Sequence, residues 1–163
     1  MSSNNVRRGA AVLALLVGGA ASASAQTATQ TVTFAVNAIN QIAFTGAPSL
    51  TVATAVAGSN PTSATDNSAS WAVTSNQTNA KITASIPTAM PAGVSLSVNL
   101  AAPTGATSAG AQALSTTAVD LVTSVTKLAQ GALGVTYTLA ATPAAGVVPS
   151  STRVVTYTIT GGT

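Results

Sequence analysis

The chain has 163 residues, 47% hydrophobic and only 4% charged, with five Lys and Arg, two acidic residues, no His and no Cys. That inventory excludes Ser–His–Asp and Cys–His nucleophilic systems, and zinc or copper centres built on His or Cys. It also excludes the disulfides that small secreted domains often rely on.

Residues 1–25 read as a secretory signal peptide. A polar start carrying Arg7 and Arg8 is followed by the apolar run Ala11-Val12-Leu13-Ala14-Leu15-Leu16-Val17 and then by small residues ending Ala23-Ser24-Ala25. Basic, apolar and small-residue zones in that order, closed by Ala-x-Ala, place cleavage before Gln26. The apolar run is far short of the ~20 residues a spanning helix needs. The arginine pair invites a twin-arginine reading, but Gly9-Ala10-Ala11 follows it where a bulky apolar residue is expected, so general secretion is favoured. With no Cys after the signal, lipid anchoring as a lipoprotein is excluded, and no later apolar stretch approaches membrane length.

Cleavage changes the charge. Of the five basic residues only Lys81, Lys127 and Arg153 remain, against Asp66 and Asp120, a net side-chain charge of +1. Nucleic-acid binding needs a dense cationic array, so that class of partner is excluded. Disorder needs low hydrophobicity with high charge, and residues 26–163 have neither. They fit a single domain.

Period-two alternation runs through those residues and predicts strands. Residues 30–38 place Val32, Phe34 and Val36 on one face. Residues 41–45 carry Ile42 and Phe44; residues 49–54 carry Leu50 and Val52. Residues 58–67 read as a loop, 69–74 as a strand with Trp71 and Val73, and 76–79 as a turn. Strands follow at 81–86 and 94–100, separated by a Pro- and Gly-containing break at 87–93. Residues 103–110 read as a loop. Residues 118–128 are ambiguous: Val119, Val122 and Val125 fit helical spacing, yet the Val and Thr content fits a strand. Strands at 132–141 and 153–160 close the chain around a turn at 143–151. About eight or nine strands, no confident helix and no internal repeat predict an all-β antiparallel sandwich, Ig-like or jelly-roll-like, with a closed barrel as second choice.

Sites for chemistry are few. Asp66 and Asp120 could form a glycosidase-type carboxylate pair, but Asp66 sits in the turn-like Thr65-Asp66-Asn67-Ser68 and nothing local supports either acid. Asp66 and Asn67 would make a weak calcium site at best. No catalytic residue, metal ligand or cofactor is expected, and the chain does not read as an enzyme. Asn76-Gln77-Thr78 matches a glycosylation sequon, taken as chance. Trp71 is the residue a sugar-stacking platform would use, but its register with Val73 favours the core. Tyr137 and Tyr157, in the last two strands, read as cross-strand neighbours in a hairpin, with ligand binding as the alternative.

Two features point to assembly. A strand-forming segment, residues 27–38, begins one residue after the cleavage site and could donate Val32, Phe34 and Val36 to a neighbour's groove; the competing reading makes it the first strand of the chain's own sandwich. The surface is nearly free of charge, where soluble domains carry about a quarter charged residues, so copies could stack without burying charge. Thr31-Val32-Thr33-Phe34-Ala35-Val36 and Arg153-Val154-Val155-Thr156-Tyr157-Thr158-Ile159-Thr160, in an Ala/Thr-rich exported chain, resemble secreted bacterial pilin-like and fibre-subunit surface proteins. That resemblance implies a β-sandwich assembled with copies of itself by donor-strand complementation. The chain departs from disulfide-bonded chaperone-assembled pilins in lacking Cys, and from type IV pilins in that their apolar segment stays in the mature protein. A secreted structural subunit is therefore expected, with an adhesin or carbohydrate-binding module, recognising a surface glycan, as the alternative.

Overall fold

The structure is a computed structural model that describes residues 24–162. Of residues 1–25, expected to be a signal peptide, all but Ser24 and Ala25 lie outside the described residues. The chain separates after Ala35, with Val36–Thr163 forming the larger compact unit. Of the smaller unit, residues 24–35 are exposed and carry no strand.

The larger unit is an antiparallel β-sandwich. Its strands among the described residues are β1 (Asn40–Thr45), β2 (Ala64–Ser75), β3 (Ala80–Ser85), β4 (Val94–Leu100), β5 (Thr107–Ser108), β6 (Gln112–Ala113), β7 (Val119–Val125), β8 (Leu128–Ala141) and β9 (Thr156–Thr160). One sheet has the order β1-β2-β8-β4-β6 and the other β5-β7-β3-β9. The two face each other over one core. Alternation sets the inward side chains: Trp71 and Val73 on β2, Leu96, Val98 and Leu100 on β4, and Ala80, Ile82 and Ala84 on β3. Each large apolar side chain taken out of water there contributes roughly 1.5–3 kcal/mol.

β7 resolves the ambiguous segment. Its pairing with β3 shifts register on both sides of the Ile82–Val122 pair. A β-bulge of this kind breaks the period of two, so consecutive residues Leu121 and Val122 are both fully buried. The helix-like spacing of Val119, Val122 and Val125 is thus the signature of a bulged strand. β2 and β8 carry similar shifts, one between Asp66 and Ala69 and one between Trp71 and Val73, where β8 spends an extra residue and Ala132 takes a positive φ of 56°.

Other boundaries differ from the sequence reading. Residues 49–54 form no strand, and only an isolated bridge joins Ala55 to Pro61. The expected loop at 58–67 ends early because β2 begins at Ala64, and the loop at 103–110 contains the two-residue β5. Residues 30–38, expected as a strand, carry no strand in the structure.

Candidate assembly site

The sandwich is anchored firmly where it begins. Asn76, in the turn between β2 and β3, accepts the backbone N–H of Ile39 on its Oδ1 at 2.8 Å and donates its Nδ2 to the carbonyl of Asn37 at 2.8 Å. The amide of the sequon asparagine is therefore spent on fixing residues 37–39. Immediately upstream the apolar side chains of the alternating segment stand in solvent: Val32, Phe34 and Val36 are 72%, 89% and 80% exposed. Scattered exposed apolar residues are ordinary, but these three recur at every second residue of one short segment.

The sandwich itself is unevenly covered. β8 has 14 residues and β2 has 12, whereas β3 has six and β9 five. The inner face near the end of β8 and the start of β4 is therefore not roofed by a strand of the second sheet. Segments 48–55 and 143–155 approach it instead, and the only regular structure in them is the short 3-10 turn Pro143–Ala145. A groove of about 1310 Å³ results, lined by apolar residues such as Leu50, Leu96 and Leu139 and by polar ones such as Ser49, Thr51 and Thr152. β9 borders it through Tyr157. β9 pairs with β3 on one side and is the edge of its sheet on the other, so it presents a row of unpaired backbone groups.

The aromatic side chains meet at this edge. Phe44 of β1 stacks on Tyr157 of β9 with ring centroids 3.8 Å apart and planes 15° apart. Its other neighbour is Trp71, at 6.0 Å and 13°. The hydroxyls of Tyr137 and Tyr157 are hydrogen-bonded at 2.6 Å. These two tyrosines are not hairpin neighbours, as the sequence reading had them: Tyr137 lies in the first sheet, Tyr157 in the second, and they meet across the core. Burial pushes both phenols above the ordinary tyrosine range, that of Tyr157 most strongly. Trp71 is 1% exposed. A sugar-stacking platform needs an open ring face, and Trp71 presents none; its Nε1 has no hydrogen-bond partner among the described residues.

The two acids are spent separately. Asp66 accepts the hydroxyl of Ser68 at 2.6 Å and the backbone N–H groups of Ser68 and Ser49 at 2.8 and 2.9 Å. The Ser68 hydroxyl first, then the two N–H groups, hold its carboxyl below the usual carboxylate range. Asp66 thereby ties the β2 bulge to the loop after β1. Asp120, in the other sheet, pairs with Lys81 at 3.0 Å on the outer face. Among the described residues no cluster of three or more metal-ligating side chains occurs, and no helix is long and apolar enough to cross a membrane.

Arg153 is the one charged residue in the groove wall. Its Nη2 donates to the carbonyl of Ala89 at 3.3 Å and its Nη1 to that of Thr152 at 2.8 Å, while its Nε is buried without a partner among the described residues. The sequence did not mark Arg153, the free edge of β9 or the groove as a site. The groove is assembled from separate stretches of chain, and no single stretch carries its signature. Comparison with family models, with curated proteins and with solved structures finds no match.

Proposed function

We propose that this chain is a secreted structural subunit that associates with copies of itself, through β-strand contacts, into an extracellular fibre, pilus-like filament or surface matrix. The observation that carries the reading is the alternating apolar segment of Val32, Phe34 and Val36, whose side chains are exposed. Apolar side chains left in solvent are costly. Burying those three side chains in a partner would contribute roughly 1.5–3 kcal/mol each, and main-chain pairing would add direction. The near absence of charge removes the repulsion and desolvation that would oppose close stacking of copies. Export through the signal at residues 1–25 would deliver the chain outside the cell with this segment at its start.

Purified mature protein tests the reading by light scattering and negative-stain electron microscopy across a concentration series. Ordered oligomers or filaments are the expected result, and deletion of residues 27–38 is expected to abolish them. A protein that stays monomeric at high concentration with the segment intact would sink the proposal.

A further inference from the structure

We infer that residues 147–154 are a movable wall of the groove, fastened at a single point by the guanidinium of Arg153, and that this wall swings open while both sheets stay folded. The inference concerns the single subunit and stands whether or not copies associate.

The two irregular walls of the groove are held very differently. Segment 48–55 is tied down along its length. The backbone N–H of Ser49 donates to Asp66 at 2.9 Å, the carbonyl of Thr54 accepts the backbone N–H of Thr62 at 2.8 Å, and Ala55 bridges to Pro61. On the other wall the last backbone ties precede residue 147. Thr142 donates its N–H to the carbonyl of Gly93 at 2.8 Å, and Gly146 closes the 3-10 turn on Pro143 at 3.3 Å. Gly93, with a φ of 75°, permits this approach, because a Cβ there would stand 2.8 Å from the backbone nitrogen of Ala145. Between residues 147 and 154 no backbone group bonds to another among the described residues, and strand pairing resumes at Thr156. Packing is thin as well, since Val147 is 98% exposed and Val154 68%. Among the described residues, one hydrogen bond reaches from this stretch to a distant part of the chain: Arg153 Nη2 to the carbonyl of Ala89, at 3.3 Å. No acid reinforces it, because Asp120 pairs with Lys81 and Asp66 is held by Ser49 and Ser68. A segment with few buried apolar contacts and few backbone bonds opens locally, below the cost of global unfolding. Opening would uncover Leu96 and Leu139 on the groove floor and Met90, the neighbour of the carbonyl that holds Arg153.

Trypsin reads this opening directly, because it must draw the Arg153 side chain out of its contacts before it cuts. The mature chain offers three sites, Lys81, Lys127 and Arg153. Lys81 lies in β3, between β7 and β9, and is cut only when the second sheet comes apart. In dilute native protein, cutting after Arg153 is expected to be about a hundredfold or more faster than after Lys81, since cleavage tracks the population of the open form. Low denaturant should speed cutting at Lys81 and leave Arg153 unchanged, because local opening exposes little surface. Equal rates at the two sites, rising together with denaturant, would overturn independent opening. The fastening is read at Met90, the one methionine of residues 26–163, which lines the groove and is partly buried. Arg153→Gln is expected to speed oxidation of Met90 by hydrogen peroxide about tenfold, the equivalent of losing one charged hydrogen bond, while the fluorescence of Trp71 stays native. Lys127→Gln, which removes a cation outside the groove, should leave the rate unchanged. Oxidation of Met90 that does not respond to Arg153→Gln would overturn Arg153 as the fastening. If that variant fails to fold, the cutting pattern of the parent protein still decides whether the wall opens on its own.

Discussion

The hydroxyl of Tyr137 lies 2.6 Å from that of Tyr157 although the two strands that carry them belong to opposite sheets. The contact ties the sheets together at the same edge where Phe44 stacks on Tyr157. A polar pair at this depth is stabilised because one hydroxyl donates to the other; removing one leaves its partner without that bond, at a cost of about 1–3 kcal/mol.

The pair makes the fold sensitive to alkali. Burial raises both phenols above their ordinary value of 10.0. The unfolded chain loses its tyrosine protons near that value while the folded chain keeps them, so stability is fully present below about pH 10 and falls as pH rises further. Denaturant midpoints measured from neutral to strongly alkaline pH should show this fall. The double variant Tyr137→Phe/Tyr157→Phe should lose the pH dependence above pH 10. The chain has two tyrosines, so phenolate absorbance reports on this pair alone and should rise only with unfolding.

Trp71 should fluoresce as a core residue. It is the single tryptophan and is 1% exposed. Its emission should be blue-shifted, resistant to an added aqueous quencher and indifferent to soluble sugars. Emission at the wavelength of free tryptophan in the native protein would contradict the packing of Phe44 against it.

Asp66 should set the acid limb of stability. Its folded pKa is lowered, so the stabilisation it gives is present above the unfolded value of 3.8 and is lost as pH falls through the lower folded value. Asp66→Ala should flatten the stability profile between neutral pH and about pH 2. It should also raise hydrogen exchange at the amides of Ser49 and Ser68, which lose their acceptor. Asp120→Ala, which breaks an exposed ion pair with Lys81, should change stability by about 1 kcal/mol or less.

The bulge in β7 separates neighbouring residues by their cost. Leu121 and Val122 are both fully buried. Leu121→Ala should cost about 2–5 kcal/mol in equilibrium denaturation. A regular strand would bury only one of two consecutive residues, so Val122→Ala should also be clearly destabilising, whereas Thr123→Ala, on the half-buried side, should be near neutral. A silent Val122→Ala would show that β7 alternates regularly and that the bulge is absent.

These cases show where the fold was legible in sequence and where it was not. β3 and β4 bury alternate residues and β9 half-buries them, and their apolar periodicity alone located them to within a few residues. β7 was ambiguous because its bulge replaces a period of two with two adjacent inward residues. Residues 49–54 alternate like a strand because Leu50 and Val52 line the groove, yet they join neither sheet. β5 and β6, two residues each of Thr, Ser, Gln and Ala, have no apolar pattern to read. Val32, Phe34 and Val36 were marked by sequence. Nothing in local sequence indicates the groove, because β1, β4, β8 and the segment before β9 converge there only in three dimensions.

Phe34 should separate folding from assembly. In the free subunit its side chain is 89% exposed and belongs to no strand. Phe34→Ser should therefore leave denaturant stability of the dilute protein within about 0.5 kcal/mol of the parent. Assembly should respond quite differently, because Phe34 is the largest apolar side chain on the segment and would be buried only in the partner. The concentration at which oligomers form should rise about tenfold or more. Thr33→Ser, on the opposite face of the same segment, should shift neither quantity much. A Phe34→Ser variant that unfolds in dilute solution would place this ring in the subunit's own core. One that assembles as readily as the parent would remove the segment from the interface.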